Sequence, residues 1–295
     1  MSKSKIEWTD ETWNPVTGCT KISAGCKHCY AEREWPRMTK LVPSYAGRAF
    51  TDMRCHPERL EQPLLWKRPR RIFVNSMSDL FHEDVPVDFI RAVFEVMARC
   101  PQHTFQILTK RAERMQFLLW SEFDWIPLPN VWLGVSVENQ EIADARIPLL
   151  LETPAAVRWI SAEPLLGAID VERYLEFYIG GSLHDAFGLD WVVVGGESGP
   201  SARPMHPDWV RSLRDQCADS EIPFLFKQWG EFCGDLDFRA PFHKWEMIDR
   251  SGRTLTEAGS TENMGPITHV ARVGKKAAGR LLDGVLHDGY PEVQR

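Results

Sequence analysis

The chain has 295 residues, 26% charged and 43% hydrophobic, with 20 Gly and 20 Pro, a composition that excludes a fibre, a disordered tail and a disulfide miniprotein. Lys and Arg number 35 against 41 Asp and Glu, a net charge of −6, so a global basic footprint for nucleic acid is absent. The longest apolar runs, such as Trp191 to Val194, fall far short of the roughly 18 residues of a membrane-spanning helix.

Met1 to Asp10 lacks the apolar core of a signal peptide, so a cytoplasmic chain is expected. Ile6 to Trp8 reads as a first strand. A loop with Cys19, Cys26 and Cys29 follows, and then a helix from Tyr30. From residue 71 onward one grammar repeats: a short β-branched or aromatic run, a polar cluster, then a stretch of helical period. The runs are Ile72 to Asn75, Thr104 to Leu108, Val131 to Val137, Val157 to Ile160, Trp191 to Val194 and Phe224 to Phe226. Consecutive apolar positions predict strands buried on both faces, as in parallel sheets covered by helices. Helices are expected after Pro86, over Arg111 to Trp120, over Glu141 to Leu151 with a kink or early end at Pro148, and over Pro207 to Ala218. After Trp229 no element is read until a short helix around Lys275 to Leu282.

Repeated βα units give a barrel or a doubly wound sheet. The polar residues favour an α/β fold of the full or partial (β/α) barrel kind, because nearly every strand ends in chemically capable groups, as at the working face of such barrels. These are Ser76, Ser78 and Asp79; Thr109, Lys110 and Arg111; Ser136 and Glu138; Ser161 and Glu163; Glu197 and Ser198; and Lys227 and Gln228. Residues 1–229 are expected to form the barrel with its cysteine loop, and 230–295 a C-terminal extension or cap. The basic clusters Lys67, Arg68, Arg70 and Arg71, and Lys275, Lys276 and Arg280, read as solvated faces. The tryptophans, from Trp13 to Trp229, read mostly as core and loop packing, with one or two free to stack on a base.

Three of the seven cysteines fall within eleven residues. In a reducing compartment clustered thiols point to a metal or to redox chemistry. A structural zinc takes four closed ligands, as does an ordinary electron-transfer iron–sulfur cluster. Three thiolates on a four-iron cluster leave one iron open to a small molecule. A fourth ligand from His28, Cys55 or His56 would instead close a zinc site, and the alternative function is then a zinc-stabilised nucleic-acid-binding protein without catalysis.

Three clustered cysteines ahead of βα repeats resemble the radical S-adenosylmethionine superfamily. The segments Trp13 to Cys19, Cys26 to Arg33, Val74 to Phe81, Gly195 to Gly199 and Gly274 to Arg280 resemble a phage and bacterial three-Cys-motif family of that type. The resemblance implies a [4Fe-4S] cluster on Cys19, Cys26 and Cys29 and S-adenosylmethionine as its partner. The methionine end would meet Ser76, Ser78 and Asp79, and the ribose Ser136 and Glu138. His28 stands where the superfamily usually has an aromatic residue against the adenine, with Tyr30 beside it. Six residues lie between the first two cysteines, rather than the commoner three. The implied reaction is reductive cleavage of S-adenosylmethionine to a 5′-deoxyadenosyl radical that abstracts a hydrogen from a substrate the resemblance does not name; the tryptophans, with Lys and Arg at strand ends, lean towards a nucleobase or nucleotide. An electron donor is implied too, and no motif identifies it. Lys110, Glu163, Glu197 and Lys227 are the candidates to orient substrate, or equally to form a structural ion-pair network. Gly195 and Gly196 read as a close backbone approach to the adenosine.

Overall fold

The computed structural model describes residues 4, 6–122, 127–178, 186–234 and 244–292; Trp125 and part of the segment after Trp229 lie outside them. Seven strands form one sheet in chain order: β1 (Glu11–Trp13), β2 (Arg71–Val74), β3 (Thr104–Thr109), β4 (Val131–Ser136), β5 (Val157–Ala162), β6 (Trp191–Gly195) and β7 (Phe224–Gln228). Pairing is parallel, with Glu11 opposite Ile72, Ile72 opposite Phe105, Phe105 opposite Val131, and Val192 opposite Phe224. An order that never reverses is the winding of a (β/α) barrel, here partial, and not of a doubly wound sheet. Helices α1 (Tyr30–Leu41), α2 (Val87–Ala98), α3 (Ala112–Ser121), α4 (Gln140–Glu152) and α5 (Pro207–Asp219) supply the crossovers.

The chain divides into two compact units, residues 1–136 with 146–159, and residues 137–145 with 160–295. In the first, all six residues of β4 are buried, and α2 turns Ile90, Val93, Phe94 and Met97 inward, the spacing of one apolar helix stripe. Gly134 makes room for Trp159: a Cβ there would come 2.5 Å from the indole ring. Arg70 and Arg71 pair with Glu11 and Asp10, so this basic cluster ties β1 to β2. In the second unit, all five residues of β6 are buried, and α5 buries Trp209, Val210, Leu213 and Cys217.

Four expectations need correction. Residues 6–8 are not a strand; β1 begins at Glu11. Trp8 is instead a buried plug, with ring centroids 4.7 Å from Phe73 and 5.1 Å from Trp159, so its apolar character serves packing. Pro148 does not end α4, which runs on to Glu152. Burial of Ile147, Leu150 and Leu151 outweighs a cost of about 3 kcal/mol for an internal proline. After Trp229 there is a three-stranded antiparallel sheet, β8 (Phe232–Cys233), β9 (Lys244–Asp249) and β10 (Ile267–Arg272), with β10 central. The helix predicted to Leu282 stops at Ala278. A hairpin follows, pairing Leu281–Leu282 with Val285–Leu286. Asp283 and Gly284 both have positive φ there, the conformation an Asp-Gly hairpin turn requires.

His56, His103 and His206 are buried at 0%, 1% and 3% exposure, and burial holds each imidazole below its ordinary pKa. Below about pH 6.5 the unfolded chain therefore binds more protons than the folded one. Stability is complete above that pH and is expected to fall below it, by no more than about 1.4 kcal/mol per pH unit for each ring. Thermal melts at about pH 7.5 and pH 5.5 check this; an equal or higher midpoint at the lower pH would contradict it.

Candidate functional site

The cysteine loop is fixed at its entry. Val16–Thr17 pairs antiparallel with Arg54–Cys55, Gly18 donates its N–H to Met77 O at 3.0 Å, and Cys19 donates to Phe50 O at 2.9 Å. Gly18 has φ +91, and a Cβ would sit 2.6 Å from Asp52 O, so only glycine fits this turn. Beyond it, Cys26 N–H donates to Ser23 O and Cys29 N–H to Cys26 O, and Cys29 is the N-cap of α1. That helix buries Ala31 and Trp35 with Tyr45, Phe50 and Met77, and Cys19 and Cys29 both lie against this cluster. Cys19, Cys26 and Cys29 are half-buried and free of disulfides. His28, immediately before Cys29, is half-buried, and Tyr30 is exposed.

The segment after β2 meets this loop. Asn14 accepts from Ser76 Oγ at 3.2 Å and Met77 N at 2.9 Å, Tyr30 OH donates to Ser76 O, and Ser78 Oγ donates to Val16 O at 2.9 Å. Asn75 is 3% exposed; its Oδ1 accepts from Val16 N, while its Nδ2 has no hydrogen-bond partner among the described residues. A buried donor of this kind marks a place for a ligand or water. The sequence pattern does not single out Asn75, which reads there as the last residue of the strand run.

Asp79 is fully engaged. Its Oδ1 accepts from Phe81 N at 3.0 Å and Thr109 Oγ1 at 2.7 Å, and its Oδ2 from Lys110 N at 3.1 Å and Arg111 Nη1 at 3.2 Å. Lys110 thus enters this network through its backbone, and its side chain is half-buried. Burial pushes the Cys19 thiol up to about 12, Asp79 adds to this, and Arg111 opposes it. Burial acts against the Arg111 charge, but Asp79, Cys19 and Glu83 together hold it above the ordinary arginine range.

Of the residues that could close a zinc site, His56 is already engaged. His56 Nε2 is 2.8 Å from Thr17 Oγ1 and its Nδ1 3.0 Å from Glu58, so both ring nitrogens are taken. Burial raises the Cys55 thiol to about 11. Ser136 and Glu138 are both buried; Ser136 O accepts from Arg146 Nη1 at 2.7 Å, and Glu138 O accepts from Leu166 N at 2.8 Å.

In the second unit Lys227 Nζ donates to both carboxylate oxygens of Glu163, at 2.9 and 2.8 Å, with side-chain exposures of 13% and 20%. Gln228 Nε2 donates to Glu163 Oε1 and Ser198 Oγ, both at 3.2 Å, while its buried Oε1 has no partner. Glu197 belongs to a separate pair. It accepts from the Arg203 backbone N–H, Nε and Nη2 at 2.6–2.8 Å. Gly195 faces the Glu163 carboxyl, 3.1 Å from where its Cβ would be. What approaches Gly196 is the backbone of Trp229, whose O lies 1.9 Å from where a Cβ would stand; the glycine serves chain crossing rather than a nucleoside.

The donor chemistry of three free thiols fits a soft metal centre or iron–sulfur cluster, and the Asn75 amide, unpartnered among the described residues, fits a hydrogen-bond acceptor. Among the described residues no three His, Cys, Asp or Glu side chains stand together as a formed metal site. Gathering the trio would therefore accompany binding, as metal sites commonly do. Among the described residues, no helix is long and apolar enough to cross a membrane.

A family model described as "Protein of unknown function (DUF5131)" matches residues 3–291. No curated protein matches. Among solved structures, a Cys-to-Ser mutant of spore photoproduct lyase is similar at 12% identity, with a TM-score of 0.43, covering 94% of this chain and 72% of that one. A Tyr-to-Phe mutant of the same enzyme is similar at 12% identity and a TM-score of 0.40, with coverages of 92% and 71%.

Proposed function

We propose, from the premise that the chain belongs to the family described as protein of unknown function (DUF5131), that it is a radical S-adenosylmethionine enzyme acting on a nucleobase or nucleotide. Cys19, Cys26 and Cys29 would hold a [4Fe-4S] cluster, three thiolates leaving one iron open. When bound, the cluster supplies the electron that cleaves S-adenosylmethionine to methionine and a 5′-deoxyadenosyl radical. The observation that carries this reading is the placement of three free thiols on a loop joined to the end of β2, where a buried amide donor has no partner.

The chain's own groups divide the remaining work. Asn75 Nδ2 and the Ser76 hydroxyl offer neutral hydrogen bonds to the methionine end of the cofactor. Asp79, engaged with Thr109, Lys110 and Arg111, ties the segment after β2 to the end of β3 instead of reaching the cofactor itself. Ser136 serves the ribose, His28 the adenine, and Tyr30 holds the Ser76 carbonyl. In the second unit Glu163 and Lys227 form a polar pair of their own, with Gln228 beside it. Glu197, bound by Arg203, has a structural part. A radical enzyme needs these groups to position and to exclude side reactions.

Anaerobic reconstitution with iron and sulfide tests the proposal. The expected result is a brown protein with about four irons per chain that releases 5′-deoxyadenosine from S-adenosylmethionine under a strong reductant. One tightly held zinc per chain and no cleavage would replace this reading with the zinc-stabilised one.

A further inference from the structure

We infer that Arg111 is a positioning residue that presents Cys19 to the metal, so that without its guanidinium the loop offers two thiols rather than three. The inference rests on the reading of Cys19, Cys26 and Cys29 as metal ligands. Arg111 follows β3, and its side chain is 4% exposed. Its three nitrogens are all directed into one network. Nε meets both oxygens of Glu83 at 2.9 Å. Nη1 meets Asp79 Oδ2 at 3.2 Å and Cys19 Sγ at 3.7 Å. Nη2 meets Thr20 O at 3.3 Å and Thr20 Oγ1 at 3.0 Å.

A planar fork of this shape can span two consecutive loop residues and two carboxylates at once, which a single ammonium cannot. Its far end is rigid. Asp79 is itself held by Thr109 Oγ1, Lys110 N and Phe81 N, and Thr20 Oγ1 is also 2.9 Å from His82 Nε2. A chain of hydrogen bonds thus runs from the end of β3 to the sulfur of Cys19. Cys26 and Cys29 are held by different means. Cys26 Sγ is 3.9 Å from Ser23 Oγ, within its own loop, and Cys29 is placed by the start of α1. Groups that orient metal ligands in this way carry much of a site's affinity.

Cobalt(II) titration of the full chain, without oxygen, separates positioning from folding. Wild type, Arg111→Gln, Arg111→Lys and Cys29→Ala are compared, with circular dichroism to establish that each is folded. In both Arg111 variants the thiolate-to-cobalt absorbance per bound ion at saturation is expected to drop by about a third, and cobalt affinity by roughly 10- to 100-fold. A merely structural role would lower the fraction of competent chains and leave the absorbance per bound ion unchanged. Should Arg111→Gln fail to fold, Arg111→Lys, which keeps the charge, decides the matter. Wild-type absorbance per ion and wild-type affinity in the folded Arg111 variants would overturn the inference. Wild-type cobalt binding by Cys29→Ala would instead overturn the thiol-ligand reading on which it rests.

Discussion

Cys29→Ala is expected to reduce the iron retained after anaerobic reconstitution from about four atoms per chain to fewer than one, because two thiolates cannot hold a four-iron cluster against solvent. The variant is informative because the thiol has little other work. Cys29 is the N-cap of α1, yet its side chain makes no capping hydrogen bond, so alanine removes no cap. Its half-buried sulfur lies at the margin of the Ala31, Trp35, Tyr45, Phe50 and Met77 cluster, where truncation costs on the order of 1 kcal/mol. Metal retention should therefore collapse while the melting midpoint moves by only a few degrees. Cys100→Ala is the contrasting control: that thiol is fully buried, so its loss should cost stability and leave iron content intact. Full iron retention in Cys29→Ala, measured with labile sulfide on the same sample, would remove these thiols from the chemistry.

Much of the sheet is legible in the sequence because its strands are buried on both faces. Val131 to Ser136 and Trp191 to Gly195 are runs without a solvent-facing residue, and such runs announce themselves without any period. The small antiparallel sheet is not legible, for the opposite reason. β9 mixes Lys244, Glu246 and Asp249 with Trp245, Met247 and Ile248, and its pairing with β10 depends on residues some twenty positions away, which no local pattern records. The hairpin at Asp283 and Gly284 does carry a local signal in its Asp-Gly pair, masked by the helical start at Lys275.

The candidate site divides in the same way. Cysteine spacing and polar strand ends are visible in one dimension, so Cys19, Cys26, Cys29 and the residues after β2 can be named from it. Which of those polar groups are already spent on one another cannot. Asp79 has both oxygens occupied, and Glu197 is bound three times over by Arg203. Asn75, in contrast, keeps an unused donor. Partner choice is a property of three-dimensional neighbours, and Arg111, which gathers residues 19, 20, 79 and 83, shows it most fully.

Gly196→Ala is expected to destabilise the second unit by more than about 3 kcal/mol and to leave little soluble protein. The added methyl would lie 1.9 Å from Trp229 O and 2.7 Å from its carbonyl carbon, a backbone overlap that no side-chain rotation relieves. Nor can the opposing strand end retreat. Trp229 is buried, with its Nε1 donating to Leu281 O at 2.7 Å. Gly230, with φ +85, comes back against Glu197, where its own Cβ would be 2.2 Å from Glu197 O. Two hydrogen bonds draw the segments together, Gly196 N–H to Gln228 O at 2.9 Å and Glu231 N–H to Glu197 O at 3.0 Å. The paired glycines allow this contact and so fix the end of β7 at Gln228 and the residues after β6, Ser198 among them. Gly265→Ala, at a position with no atom within 4 Å of the added methyl, should express and melt as wild type. Equal soluble yield and equal urea midpoints for the two variants would show that the segments can part without loss, and would withdraw the crossing as the feature that fixes this end of the strands.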